Sequence, residues 1–340
     1  PTVSYYAANG IIVPMDDYFT HEDLTDFVPS TVAQCTYDGK LYAISATESS
    51  VGLYYNKDYL KDCGVDVADI ESRTVDNPLT WSELEEIAEK CTTADYVGTH
   101  IIMDHGEGLS YALEPMFLSN GKDFVSEDGS TAEGYINSPE CVEAAEYLAN
   151  MIANGYANID PIQDEFLNGA CATMLGGSWD VSILEGSADF DWGVTYYPVS
   201  DSTKKAVSPC GDWSAAISKD CKNVDAAGQF LQWLMNSDNT ATYAAAIAKP
   251  ATRNSSYENE AMAEYAEGPR AMFVEQLQNT AVPRPRTPSY SVFSTKYAEA
   301  MTNIFSEAAS SHTVDQAYIQ SELDAVAAAF QEDYDMYYAN

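Results

Sequence analysis

The chain has 340 residues, 46% of them hydrophobic and 20% charged, a composition that excludes global disorder and suits about two domains. Asp and Glu number 53 against 16 Lys and Arg, a net charge of −37 that excludes nucleic acid and anionic lipid as partners and reads as a solvated acidic surface on a monomer. Apolar runs are only a few residues long, so no membrane span is expected.

In chain order, Pro1–Tyr6 reads as an extended aromatic start, and Asn9-Gly10 as the end of a short helix. Tyr37-Asp38-Gly39-Lys40 reads as a turn with glycine at the positive-φ position. Strands are expected over Leu41–Ile44 and Val51–Tyr55, which are β-branched and aromatic, with a polar segment between them. Thr80 and Glu83 have capping-box spacing ahead of a helix Trp81–Lys90. Ser138-Pro139 opens another helix that Gly155 ends. A strand is expected at Cys171–Leu175, then a Gly176-Gly177-Ser178 turn into a helix near Trp179. Phe190–Pro198 and Trp213–Ser218 read as strands, and Asn223–Asn236 and Thr240–Ala248 as helices. The last third reads as the helices Pro269–Gln278, Tyr290–Ala308 and Val314–Phe330, broken by Pro283-Arg284-Pro285-Arg286-Thr287-Pro288. Such alternation predicts an α/β fold with mostly parallel sheets.

Catalytic signatures are missing. The sequence has no G-x-S-x-G elbow, no phosphate-binding loop and no G-x-G-x-x-G, so no enzyme activity and no cofactor is expected. His100, Asp104, His105 and Glu107 have metal-like composition but no ligand spacing, so they read as a polar loop, and no metal is expected. Asp123–Ser130 lacks the alternating ligands of a calcium loop. The seven cysteines contain no C-x-x-C pair, which excludes a zinc ribbon. Being odd in number, they leave at least one thiol free and read as scattered core residues, with one disulfide still open.

Aromatic residues at turns are the positive signal. Trp81 and Trp233, inside amphipathic helices, and Trp192, in mid-strand, read as core. Trp179 and Trp213 stand at element starts. There, both core packing and an exposed face for a sugar ring are open.

Five blocks occur in an order that resembles the extracellular solute-binding proteins of ABC sugar importers, the maltose-binding-protein-like class. They are Ala8–Phe19, Tyr37–Tyr42 with Leu53–Asp58, Pro78–Leu84, Phe166–Trp179 and Trp192–Pro198. The resemblance runs over nearly the whole chain. It implies a two-lobe periplasmic-binding-protein-like (type II) fold with a ligand cleft between the lobes. Crossings would fall near Thr47–Ser50, Gly211–Ser214 and Gly268–Arg270. The N-terminal lobe would be 1–48 plus 214–268, and the C-terminal lobe 50–211 plus 270–340. Family members carry a longer segment ahead of the counterpart of Asn9-Gly10, so the resemblance implies an N-terminal lobe short of its first segments.

By the same resemblance, Trp179 matches a cleft tryptophan, Tyr111 falls near a cleft aromatic, and Ser49 or its neighbour Glu48 holds a hinge position. Asp212 and Trp213 lie at the second crossing, and Arg286 and Tyr290 are candidates to face the cleft. Ser294 replaces an aromatic used for stacking on maltodextrins. The implied function is extracellular binding of a sugar or oligosaccharide and its delivery to the membrane permease subunits of an ABC importer. The setting would be periplasmic or a cell-surface lipoprotein whose leader has been removed. Alternatives are a polyamine or peptide binder, a carboxylate-dependent glycosidase, and a partial lobe with a structural role.

Overall fold

The computed structural model describes residues 1–160 and 163–338. Its ten strands are β1 (Thr36–Tyr37), β2 (Lys40–Leu41), β3 (Ala43–Ile44), β4 (Val51–Asn56), β5 (Thr99–His100), β6 (Thr173–Gly177), β7 (Trp192–Thr195), β8 (Ser208–Cys210), β9 (Ala215–Ala216) and β10 (Ala281–Pro283). The main sheet has the order β5-β6-β4-β7. Every residue of β4 is buried, because helices cover both faces of the sheet. The pair β8–β10 is parallel, and β1–β2 and β3–β9 are antiparallel.

Parallel pairing was expected to dominate, and it does not. β4 pairs antiparallel with both β6 and β7, leaving β5–β6 as the parallel contact of this sheet. A strand buried on both faces has the same continuous apolar run whichever way its neighbours point. Direction is set by pairings more than a hundred residues apart, which local pattern does not encode.

Local signals fare better. Thr80 accepts from Glu83 N–H while Glu83 accepts from Thr80 N–H at 2.7 Å, and this capping box opens the helix Trp81–Cys91. Thr80→Ala is expected to cost about 1 kcal/mol, read as a lower urea midpoint at unchanged slope. Ser138 caps Pro139–Ala153, and Gly155 follows its end at φ 73°. Asp38 and Gly39, at φ 47° and 72°, close the β1–β2 hairpin as an Asp-Gly turn should. Of the strand expected over Trp213–Ser218 only Ala215–Ala216 forms, and two further segments depart from expectation. Val3–Ala8 is a helix where an extended start was expected, and β10 occupies the front of the Pro-rich break.

Two cores result. The larger surrounds the main sheet with Leu53, Trp81, Leu113, Phe117, Phe293, Tyr297 and Phe330, and Phe124 meets Phe117 and Tyr297 at 5.0 Å between ring centroids. Its back is sealed by Tyr54, Phe166 and Phe273. The smaller unites residues from the two ends of a long sequence span, among them Met15, Phe27, Ile44, Ile217 and Leu231. Trp233 was expected in a core and is 58% exposed, stacked instead on the exposed Phe230 at 5.9 Å. All seven cysteines are free thiols, five of them buried. Among the described residues, no helix is long and apolar enough to cross a membrane.

Candidate functional site

A cavity of about 1620 Å³ opens where segments of the two cores meet. This exceeds the roughly 300–1,000 Å³ of a drug-sized pocket. Ala43 and Ala216 line it from one side, and Tyr111, Trp179 and Tyr290 from the other.

Its aromatic wall is set by backbone. A Cβ on Gly177 would fall 2.2 Å from the Trp179 indole, so the Gly-Gly-Ser turn is the bare surface that seats the ring. Tyr111, on the helix Glu107–Ser119, stacks against Trp179 at 6.3 Å and 26°. Ser49 Oγ donates to the carbonyl of Gly211 and lies 2.9 Å from Tyr111 Oη. A serine has one hydroxyl hydrogen, so Tyr111 is the donor in that second contact.

Arg284 lies over the Tyr111 ring at 4.9 Å and donates to Glu107. Tyr290 Oη donates to the same carboxylate at 2.5 Å, as does Ser294 Oγ. On the opposite rim, Asp212 accepts from Thr47 Oγ1 at 2.7 Å, Lys249 Nζ at 2.7 Å and its neighbour's N–H at 2.8 Å. The indole of Trp213 then stands 90% exposed at the cavity mouth.

Six of the eight residues expected at a cleft thus line one cavity: Ser49, Tyr111, Trp179, Asp212, Trp213 and Tyr290. Two do not. In the extended segment between β3 and β4, neighbouring side chains take opposite faces, so only one of Glu48 and Ser49 can face the cavity. Ser49 does. Glu48 is fully buried on the other side, accepting from Thr31 Oγ1 at 2.9 Å and from Gln34. Burial pushes its carboxyl up to about 8, against the pull of the Thr31 hydroxyl and with the help of Asp212. Arg286 is exposed away from the cavity, its carbonyl packed where a Cβ on Gly129 would fall 2.5 Å away. The arginine in the cavity is Arg284.

Sequence reading missed Arg284 and Lys249. The repeated Pro-Arg pair offered two arginines with nothing local to choose between them, and Lys249 carried no signal. Glu107 was noted only within the His-Asp-Glu cluster, which does not assemble: His100 is buried and bonded to Glu165 at 2.8 Å, while Asp104, His105 and Glu107 line the cavity. Among the described residues, no group of three or more His, Cys, Asp and Glu is placed to hold a metal ion.

The chain is similar to known proteins over most of its length. The family model of bacterial extracellular solute-binding proteins matches residues 1–271. A maltotriose-binding protein of Pyrococcus abyssi is 24% identical over 243 residues, which is 68% of this chain and 48% of that protein. The sn-glycerol-3-phosphate-binding periplasmic protein UgpB of Escherichia coli K12 is 28% identical over 255 residues, 69% of this chain and 56% of its own. The chain therefore spans about half the length of the curated relatives it matches. The crystal structure of a cyclic alpha-maltosyl-1,6-maltose binding protein from Arthrobacter globiformis superposes with a TM-score of 0.80 at 24% identity, covering 97% of this chain and 81% of that one. That likeness shows the two-lobe fold.

Proposed function

The chain belongs to the family of bacterial extracellular solute-binding proteins, and from that premise we propose that it binds a sugar or oligosaccharide in the cavity and, as a monomer, hands it to the permease subunits of an ABC importer outside the cell. The observation that carries this reading is the aromatic lining. An indole 90% exposed at the mouth and a stacked Tyr111–Trp179 pair at the wall offer flat apolar faces to the C–H side of sugar rings. Hydroxyl-matched groups stand beside them: the Glu107–Arg284 pair, Asp212 and Lys249. Relatives whose names give maltotriose and sn-glycerol 3-phosphate as ligands support a polyhydroxy solute.

In this reading the lobes are 1–48 plus 214–268 and 50–211 plus 270–340, closing about crossings near 47–50, 211–214 and 268–270. Short contacts between the first two crossings support it: Gly211 N–H donates to Ser49 O at 3.3 Å, and Ser50 Oγ donates to Pro209 O at 2.8 Å. Gly268, at φ 69°, suits a third. Attachment as a periplasmic protein or as a lipoprotein belongs to the same proposal.

A thermal-shift panel tests it, with mono- and oligosaccharides set against polyamines and peptides. A sugar at 100 times its dissociation constant is expected to add about 2.7 kcal/mol and raise the melting temperature. A shift with polyamines or peptides alone, or hydrolysis of a glycoside, would overturn the reading, as would cooperative melting indifferent to every sugar.

A further inference from the structure

Resting on the sugar-binding reading, we propose that the Glu107–Arg284 pair commits this cleft to uncharged ligands and excludes phosphorylated or otherwise anionic ones. The carboxylate side chains lining the cavity are Asp104, Glu107, Asp212 and Glu299; the basic ones are Lys249 and Arg284, with the imidazole of His105 beside them. The four carboxylates and the Lys and Arg side chains are compensated inside the protein. Asp104 accepts the N–H groups of Gly106 at 2.6 Å and Gly108 at 2.9 Å. Glu299 holds Lys296 at 2.7 Å, Asp212 holds Lys249 at 2.7 Å, and Glu107 holds Arg284. An ionic ligand that pairs with any of these six groups must displace its partner. A hydroxyl, which both donates and accepts, can add to them without breaking any.

The two members of the central pair are unequally accessible. The Glu107 side chain is 46% exposed and that of Arg284 only 10%. An approaching ligand therefore meets the carboxylate first. A phosphate aimed at Arg284 must come within a few ångströms of that like charge, at a site partly stripped of water. A sugar diol meets no such barrier and can give a hydroxyl hydrogen to Glu107. The guanidinium is confined elsewhere by the Tyr111 ring and by Gly211, where a Cβ would fall 2.3 Å from Nη2, and its Nε has no protein partner. Glu114 also lies within the field of Arg284, and burial raises its carboxyl well above the ordinary range. Glu107→Gln keeps one carbonyl acceptor, at the position that Tyr290 and Arg284 use, turns its amide nitrogen toward the Ser294 hydroxyl, and leaves the charge of Arg284 uncompensated.

Titration calorimetry at fixed ionic strength tests this with glucose, maltotriose, glucose 6-phosphate and inorganic phosphate, on the wild-type chain and on Glu107→Gln. The wild type is expected to favour a neutral sugar over its phosphorylated counterpart by roughly tenfold or more and to ignore phosphate. The variant is expected to acquire phosphate binding and to lose roughly tenfold in neutral-sugar affinity. Glucose 6-phosphate bound by the wild type as tightly as glucose would overturn the proposal, as would a folded variant with no gain in phosphate binding. If the variant does not fold, the wild-type comparison decides alone. A variant that gains phosphate while neither chain binds any sugar would uphold the charge rule and sink the sugar-binding reading instead.

Discussion

Between pH 4.5 and about 8 the wild-type chain is expected to lose about 3–5 kcal/mol of stability relative to Glu48→Gln. Glu48 is fully buried, and burial is the largest cause of its raised pKa, with the Asp212 carboxylate adding to it. In the unfolded chain the same carboxyl ionises near its ordinary value of 4.5, whereas in the fold it holds its proton to about 8. Through that window the folded state binds the extra proton, so stability falls as pH rises. It is flat with respect to this group below 4.5 and above 8. Glutamine keeps the acceptor that Thr31 and Gln34 use, and puts an amide nitrogen where Oε2 already lacks a partner. The substitution thus removes the titration with little change in hydrogen bonding. The other carboxylates of this acidic chain, apart from Asp212, which interacts with Glu48, contribute equally to both proteins and cancel in the difference. Denaturation midpoints of both chains from pH 4 to 9 supply the measurement. Parallel curves would mean that Glu48 is ionised in the fold.

What the sequence made legible was local. The capping box at Thr80, the Ser138-Pro139 start, the Asp38-Gly39 turn and the glycine pair before Trp179 each depend on residues within a few positions, and the fold uses all of them. The direction of β6 and β7 against β4 depends on distant pairings and was misjudged. Trp233 was misjudged because an amphipathic stripe reveals which face of a helix is apolar and not whether anything covers it. At the cavity, the family resemblance brought in Trp179, Tyr111, Asp212 and Trp213; Trp179 is marked locally by the Gly-Gly-Ser turn before it, whereas Tyr111 lies within the helix Glu107–Ser119 with no local mark. Choosing Arg284 over Arg286, or Ser49 over Glu48, needed the alternation of side chains along an extended segment whose register is fixed only by tertiary contacts.

Trp213→Ala is expected to weaken sugar binding by about 2 kcal/mol, roughly thirtyfold, while changing stability by less than about 0.5 kcal/mol. The two figures separate because the unliganded indole is 90% exposed and has almost no packing to lose. Its backbone is held independently of the ring: its N–H donates to Asp212 Oδ1 at 2.8 Å, and its carbonyl lies 2.9 Å from Ser45 Oγ, whose single hydrogen it shares with the Thr47 carbonyl at 2.6 Å. The substitution should therefore leave the rim in place and remove only the apolar face that a bound sugar ring would cover. Trp233→Ala is the matched control, since that indole is also exposed but lies outside the cavity lining. Calorimetric titration of both variants with the best sugar of the panel gives the answer. An unchanged dissociation constant in Trp213→Ala would remove this indole from the binding site. An equal loss in Trp233→Ala would mean that the effect comes through stability or association and not through stacking at the mouth.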